Sequence, residues 1–137
     1  MNKNLEFVLS LADLHNKIMK YVDRQLSLHG ITFSEFLVMY RLSLATNMTM
    51  RRIDLAEGVN MSASGVTRLL NPMEKLKIVE KEQNPRDARV SFVKLSDVGF
   101  NLFQDSMNTL SQTVDALLED LNIDDLKTCF NVFKKIN

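Results

Sequence analysis

Cysteine, proline and glycine are scarce in this chain of 137 residues, and no long apolar run occurs. The single cysteine, Cys129, excludes an intramolecular disulfide framework and fits a reducing, cytoplasmic setting. Two histidines and one cysteine are too few to suggest a structural zinc site. The apolar runs are a few residues long, far below the roughly 20 needed to cross a bilayer. The opening Met1-Asn2-Lys3-Asn4 leads into a charged, amphipathic stretch with Glu6, Asp13 and Lys17, without the apolar block of a secretory signal. There are four glycines and two prolines, and both prolines fall between residues 72 and 85. Long stretches on either side lack a helix breaker, which predicts two helical flanks around a punctuated centre.

Net charge is also missing: 17 Lys and Arg balance 17 Asp and Glu. By itself that balance argues against an obvious polyanion binder. It conceals an asymmetry, because residues 47–95 carry nine basic and six acidic side chains, whereas residues 96–137 carry three and seven. Hydrophobic residues at 45% and charged residues at 25% describe one ordinary globular domain, long enough to bury roughly two-thirds of its unfolded surface.

Apolar side chains at Leu5, Val8, Leu11, Ile18, Val22 and Leu26 recur at steps of three and four, a helical stripe over residues 4–29. Gly30 suits a left-handed helix terminus. Thr32-Phe33-Ser34-Glu35 is a capping-box pattern opening a second helix to about Ala45. Thr49 can cap a short third helix, from Met50 to about Glu57, and Ser62 a fourth, to about Leu76. Two strand-like segments, 78–83 and 89–95, flank the polar turn at 84–88. Ser96-Asp97 then starts a long helix in which Phe103, Met107, Leu110, Val114, Leu117 and Leu121 form a seam of about three heptads. Asn122 opens a last helix with Leu126, Phe130, Phe133 and Ile136 on one face. The fold class is mainly α with a small β-hairpin.

Residues 52–66 have the layout of a helix-turn-helix. Ala56 is small where the two helices approach, and Asn60 falls where the turn needs a positive φ, which Asn tolerates well. Leu55, Val59, Met61, Val66 and Leu69 would lock the pair. Ser62, Ala63, Ser64, Thr67 and Arg68 remain on the outer face, short enough to approach base edges, with Arg68 able to reach a guanine or a phosphate. The following hairpin, with Pro85, Arg86 and Arg89 near its tip, is the wing of a winged helix. Its arginines suit the negative potential of a narrow minor groove. Asp87 lies two residues before Arg89 and can hold its guanidinium. Arg51 and Arg52, opening the preceding helix, are read as phosphate contacts.

The runs Asp54-Leu55-Ala56-Glu57, Met61 to Leu70, Met73-Glu74-Lys75-Leu76, Asp87-Ala88-Arg89 and Val93 to Gly99 resemble the MarR family of bacterial transcriptional regulators. The resemblance covers nearly the whole chain and is most specific over residues 50–99. It implies a homodimer, with residues 1–30 and 97–137 as its helical dimerisation region and 31–96 as a DNA-binding lobe. It further implies binding of double-stranded DNA, a repressor role, and release by a small aromatic ligand. His15, Met19, Phe36, Met39 and Tyr40 are candidates to line a ligand pocket, with core packing as the alternative for the apolar ones. Two positions depart from the family pattern. Lys77 stands where Gly is usual, and Pro72 falls inside the recognition helix, where it is expected to kink or divide it near 69–71. Some family members sense peroxide through a cysteine near the N-terminus. Cys129, in the last helix at apolar spacing, is read instead as a buried packing residue. No cofactor, metal site or catalytic constellation is expected. The competing functions are a helical protein–protein interaction module and a regulator switched by Cys129 oxidation.

Overall fold

The computed structural model describes residues 1–137, apart from the side chain of Ala88. The elements are α1 (Lys3–Leu26), a short 3₁₀ turn (Ser27–His29), α2 (Phe33–Leu44), β1 (Thr49–Arg51), α3 (Arg52–Gly58), α4 (Ala63–Lys75), β2 (Val79–Asn84), β3 (Asp87–Leu95), α5 (Asp97–Leu117) and α6 (Ile123–Ile136). A second 3₁₀ turn, Thr46–Met48, precedes β1.

Helix starts follow the side-chain signals. Thr32 and Glu35 close a capping box on α2, and Asn122 and Asp125 close another on α6. Ser62 caps α4 by accepting the Gly65 N–H at 3.1 Å. Three helix ends share one geometry. Gly30, Asn60 and Lys77 all have left-handed φ, of 73°, 56° and 62°. In each case the next residue's N–H reaches back five positions: Ile31 to Leu26, Met61 to Ala56 and Ile78 to Met73. Asn60 thus takes the turn conformation expected of it, and Lys77 adopts the strained one in place of glycine.

Two expectations are corrected. Thr49 does not cap a helix. Residues 49–51 form a strand whose Thr49, Met50 and Arg51 pair with Lys94, Val93 and Phe92. A three-residue strand is too short for alternation to reveal, and it exists because the edge of β3 is there to pair with. The antiparallel sheet has the order β1-β3-β2. Pro72 does not divide α4, which runs unbroken through it. Proline lacks the N–H that would bond the Arg68 carbonyl, one hydrogen bond of the helix, and Pro72 itself is exposed, so its ring meets no packed neighbour.

The core joins the helix-turn-helix to the long helices. Leu55, Val59, Val66, Leu70 and Met73 pack with Val22, Leu26, Val38, Met39 and Leu42, and with Val79, Val93 and Leu95 of the sheet. Met61 and Leu69 are half-buried at its edge. Phe36 and Phe103 bring α2 and α5 together with ring centroids 5.4 Å apart. Outside this core the amphipathic stripes lie bare. Leu5, Val8, Leu11 and Leu14 of α1 are exposed, as are Leu117 and Leu121 after the buried part of the α5 seam. Helix α6 has no buried residue. Cys129 is therefore exposed rather than packed within its own chain, a third correction. On the apolar face of α6, Phe130, Phe133 and Ile136 are exposed as well.

Candidate nucleic-acid interface

Helix α4 projects one unobstructed polar face. Ser64, Thr67, Arg68 and Asn71 follow the i, i+3, i+4, i+7 rule and are all exposed, and they line a shallow groove along the helix. Asn71 was missed in reading the sequence, although the same spacing extended by one turn would have found it. At the N-terminus of α4, the Ser62 and Ser64 hydroxyls lie 3.2 Å apart beside the free N–H groups of the first turn. Gly65 is the third residue of the helix. A Cβ there would stand 3.2 Å from the Ser62 oxygen, so its absence leaves room for the cap.

The wing lies beside this helix. A cleft of about 350 Å³ between α4 and β3 is lined by Arg51, Arg52, Thr67, Arg89 and Ser91 among others, so it gathers four of the nine residues assigned from sequence to DNA contact. Three arginines around one cleft make a surface suited to an anion. Arg89 is 91% exposed, yet it is oriented. Its Nε and Nη2 donate to the two Asp87 carboxylate oxygens at 3.1 and 3.2 Å, and its backbone N–H donates to Oδ1 at 3.0 Å. The guanidinium first, and then the backbone N–H, hold the Asp87 carboxyl below its ordinary value of 3.8. At the wing tip the Asn84 side chain accepts the Arg86 N–H at 2.9 Å, which leaves the Arg86 side chain exposed. Among the described residues Arg51, Arg68 and Arg86 have no acidic partner.

Arg52 is different. Its Nη1 donates to Glu74 Oε1 at 3.2 Å and its Nη2 to Thr67 Oγ1 at 3.2 Å, which ties the start of α3 to two turns of α4. The ligand-pocket candidates differ in exposure. Phe36 and Met39 are buried in the core, Met19 and Tyr40 are half-buried and His15 is exposed on α1. Among the described residues no group of His, Cys, Asp and Glu could hold a metal ion, and no helix is long and apolar enough to cross a membrane.

A polar reading helix beside a hairpin with an oriented arginine is the geometry of a winged helix-turn-helix, and residues 31–91 match the MarR family model. Those residues form a MarR-family lobe. The chain is 19% identical to the HTH-type transcriptional regulator MhqR of Bacillus subtilis (strain 168), over 98% of this chain and 91% of the relative. The structure is similar to AbsC, a MarR family transcriptional regulator from Streptomyces coelicolor, with a TM-score of 0.89 and 20% identity over 99% of this chain and 93% of that one. It is similar also to a mutant MarR from E. coli complexed with operator DNA, with a TM-score of 0.88 and 22% identity over 98% and 96% of the two chains. At these identities the structural likeness is one of fold. Helices α1, α5 and α6, outside the matched lobe, share in it, since nearly the whole chain superposes.

Proposed function

We propose that this protein is a non-enzymatic transcriptional regulator of the cytoplasm that binds double-stranded DNA sequence-specifically as a homodimer. The observation that carries this reading is the adjacency of the exposed α4 face and the wing, with arginines free on both and Arg89 held out by Asp87. Ser62, Ser64, Thr67 and Arg68 enter the major groove, and Arg51 holds a phosphate at its border. Arg86 and Arg89 reach the adjacent minor groove, where a narrow groove concentrates negative potential.

The bare faces of α1 and α6 support the dimer. Leu5, Phe7, Val8 and Leu11 on one helix, and Phe130, Phe133 and Ile136 on the other, are large apolar side chains left exposed by the single chain, as at surfaces that meet a partner. Residues 1–30 and 97–137 form the dimerisation region, and the two lobes read half-sites about one helical turn apart. Repression, with release by a small aromatic ligand, is the mode that the family resemblance supports.

The test uses duplex fragments recovered from sheared genomic DNA by the tagged, full-length protein. Arg68→Ala and Arg89→Ala should each weaken binding at fixed salt by tenfold or more while leaving the unfolding midpoint unchanged. Absence of duplex binding at low salt, with both arginines dispensable, would make the lobe a protein-docking module instead.

A further inference from the structure

The geometry points to Arg52 as a positioning residue that makes the Thr67 hydroxyl a hydrogen-bond donor toward the bases, so that this position of the recognition helix selects guanine or thymine. The inference rests on the DNA-binding reading above and departs from the phosphate role that the sequence alone suggests for Arg52. Its side chain is only 18% exposed and that of Glu74 21%, so the pair is sheltered, whereas Arg89 stands 91% exposed. A guanidinium has donors only, in a rigid fork, and here two prongs are committed, one to the Glu74 carboxylate and one to Thr67 Oγ1. Reaching a phosphate would break both bonds and strand the half-buried Glu74 charge.

The consequence falls on Thr67. In a helix a threonine hydroxyl commonly donates to the carbonyl four residues back, as Thr113 and Thr128 do here to Thr109 and Asp124. Among the described residues the Thr67 hydroxyl makes one hydrogen bond, the one it accepts from Arg52. Its own proton is thus uncommitted, on an exposed side chain in the row that faces outward. Accepting a bond from a cation polarises the O–H and strengthens its donation, and the nearby positive charge repels a second donor. In the major groove guanine presents O6 and N7 and thymine presents O4, acceptors with no donor beside them on the same base, whereas cytosine presents its amino donor alone and adenine sets its amino donor next to the N7 acceptor, where the Arg52 charge disfavours it. A donor-biased Thr67 therefore favours guanine or thymine opposite it.

The experiment selects duplexes from a random-sequence pool with the full-length protein and reads base preference at each position, together with the salt dependence of binding to the winning duplex. Wild-type protein should enrich guanine or thymine at one position of each half-site by about tenfold. Thr67→Ser keeps the hydroxyl and the preference, and Thr67→Val, an exposed change that leaves the fold intact, flattens that position alone. Arg52→Met should flatten the same position with the salt slope unchanged. Arg52→Lys, which keeps the charge but not the fork, should weaken the preference by a few fold. A phosphate contact behaves oppositely. Its loss lowers the slope by about 0.9 for each contact and leaves every base preference in place. That result with Arg52→Met, or a preference that survives Thr67→Val, overturns the proposal. Failure of wild-type protein to enrich any duplex would instead overturn the DNA-binding reading on which it stands.

Discussion

The Ser96 hydroxyl lies 2.6 Å from the Lys77 carbonyl oxygen, so the cap of the long helix α5 is bonded to the turn that ends the reading helix α4. The Ile78 carbonyl stands 2.9 Å from the same hydroxyl as a second acceptor, and the Ser96 oxygen accepts the Gly99 N–H at 2.9 Å. A Cβ at Gly99 would overlap the Ile78 carbonyl. One serine and one glycine thereby fix α5, which leads away from the lobe, against the end of α4.

Removing the serine oxygen leaves the Lys77 carbonyl and the Gly99 N–H short of a partner, while the Ile78 carbonyl keeps the Ser96 backbone N–H at 3.0 Å. Ser96→Ala should therefore lower unfolding stability by about 1–2 kcal/mol, measured by urea denaturation. Gly99→Ala meets backbone rather than a flexible side chain and should cost more, about 2–3 kcal/mol. A neutral Gly99→Ala would mean that α5 is not seated as described.

Lys77 holds φ at 62°, where a side chain is strained by about 1–2 kcal/mol. Glycine relieves that strain but loses more backbone entropy on folding. Lys77→Gly should still stabilise the protein by about 0.5–1 kcal/mol in the same assay. Destabilisation would show that the lysine side chain contributes something the geometry does not reveal.

The Asp87–Arg89 pair gives the wing a pH signature. The folded-state carboxyl titrates below its ordinary value, so the pair contributes above the unfolded carboxylate range and is lost as pH falls through the lowered value. Wing geometry and DNA affinity should therefore be constant from pH 8 to pH 5 as far as this pair is concerned. An NMR titration should place the Asp87 carboxyl below 3.8, and Arg89→Ala should bring it back toward that value. An Asp87 that already titrates at its ordinary value in the intact protein would remove the orienting role.

Cys129 reports on the bare face of α6. If the apolar faces of α1 and α6 close on a second copy, its thiol should react slowly with an aromatic disulfide reagent in native protein and at least tenfold faster in Phe130→Glu, which should sediment as a monomer. Cys129→Ser should retain dimerisation and DNA binding. Equal reactivity in both proteins would place the thiol outside the interface.

Much of this was legible from residue types. The caps at Thr32, Ser62, Ser96 and Asn122, the left-handed turns at Gly30 and Asn60, and the Asp87–Arg89 pair are local, and local chemistry is what a sequence displays. Strand β1 was not legible, because three residues form a strand only when a partner edge is supplied from residues 92–94. The continuity of α4 through Pro72 was not legible, because one proline removes a single hydrogen bond and whether the helix breaks depends on what packs around it, and Pro72 is exposed. The tie from Arg52 to Glu74 and Thr67 spans 22 and 15 residues, and no spacing rule connects them. The burial of Cys129 was inferred from an apolar stripe, but a stripe says that a face will be covered and not by which chain.

The most direct measurement is the stoichiometry and salt dependence of duplex binding, read together by analytical ultracentrifugation on a fragment recovered from the genome. Two chains should occupy each site, and a dimer neutralising about 6–10 phosphates should give a log–log slope of roughly −5 to −9. A single chain per site, or affinity indifferent to salt, would contradict a twofold pair of cationic lobes gripping the DNA backbone.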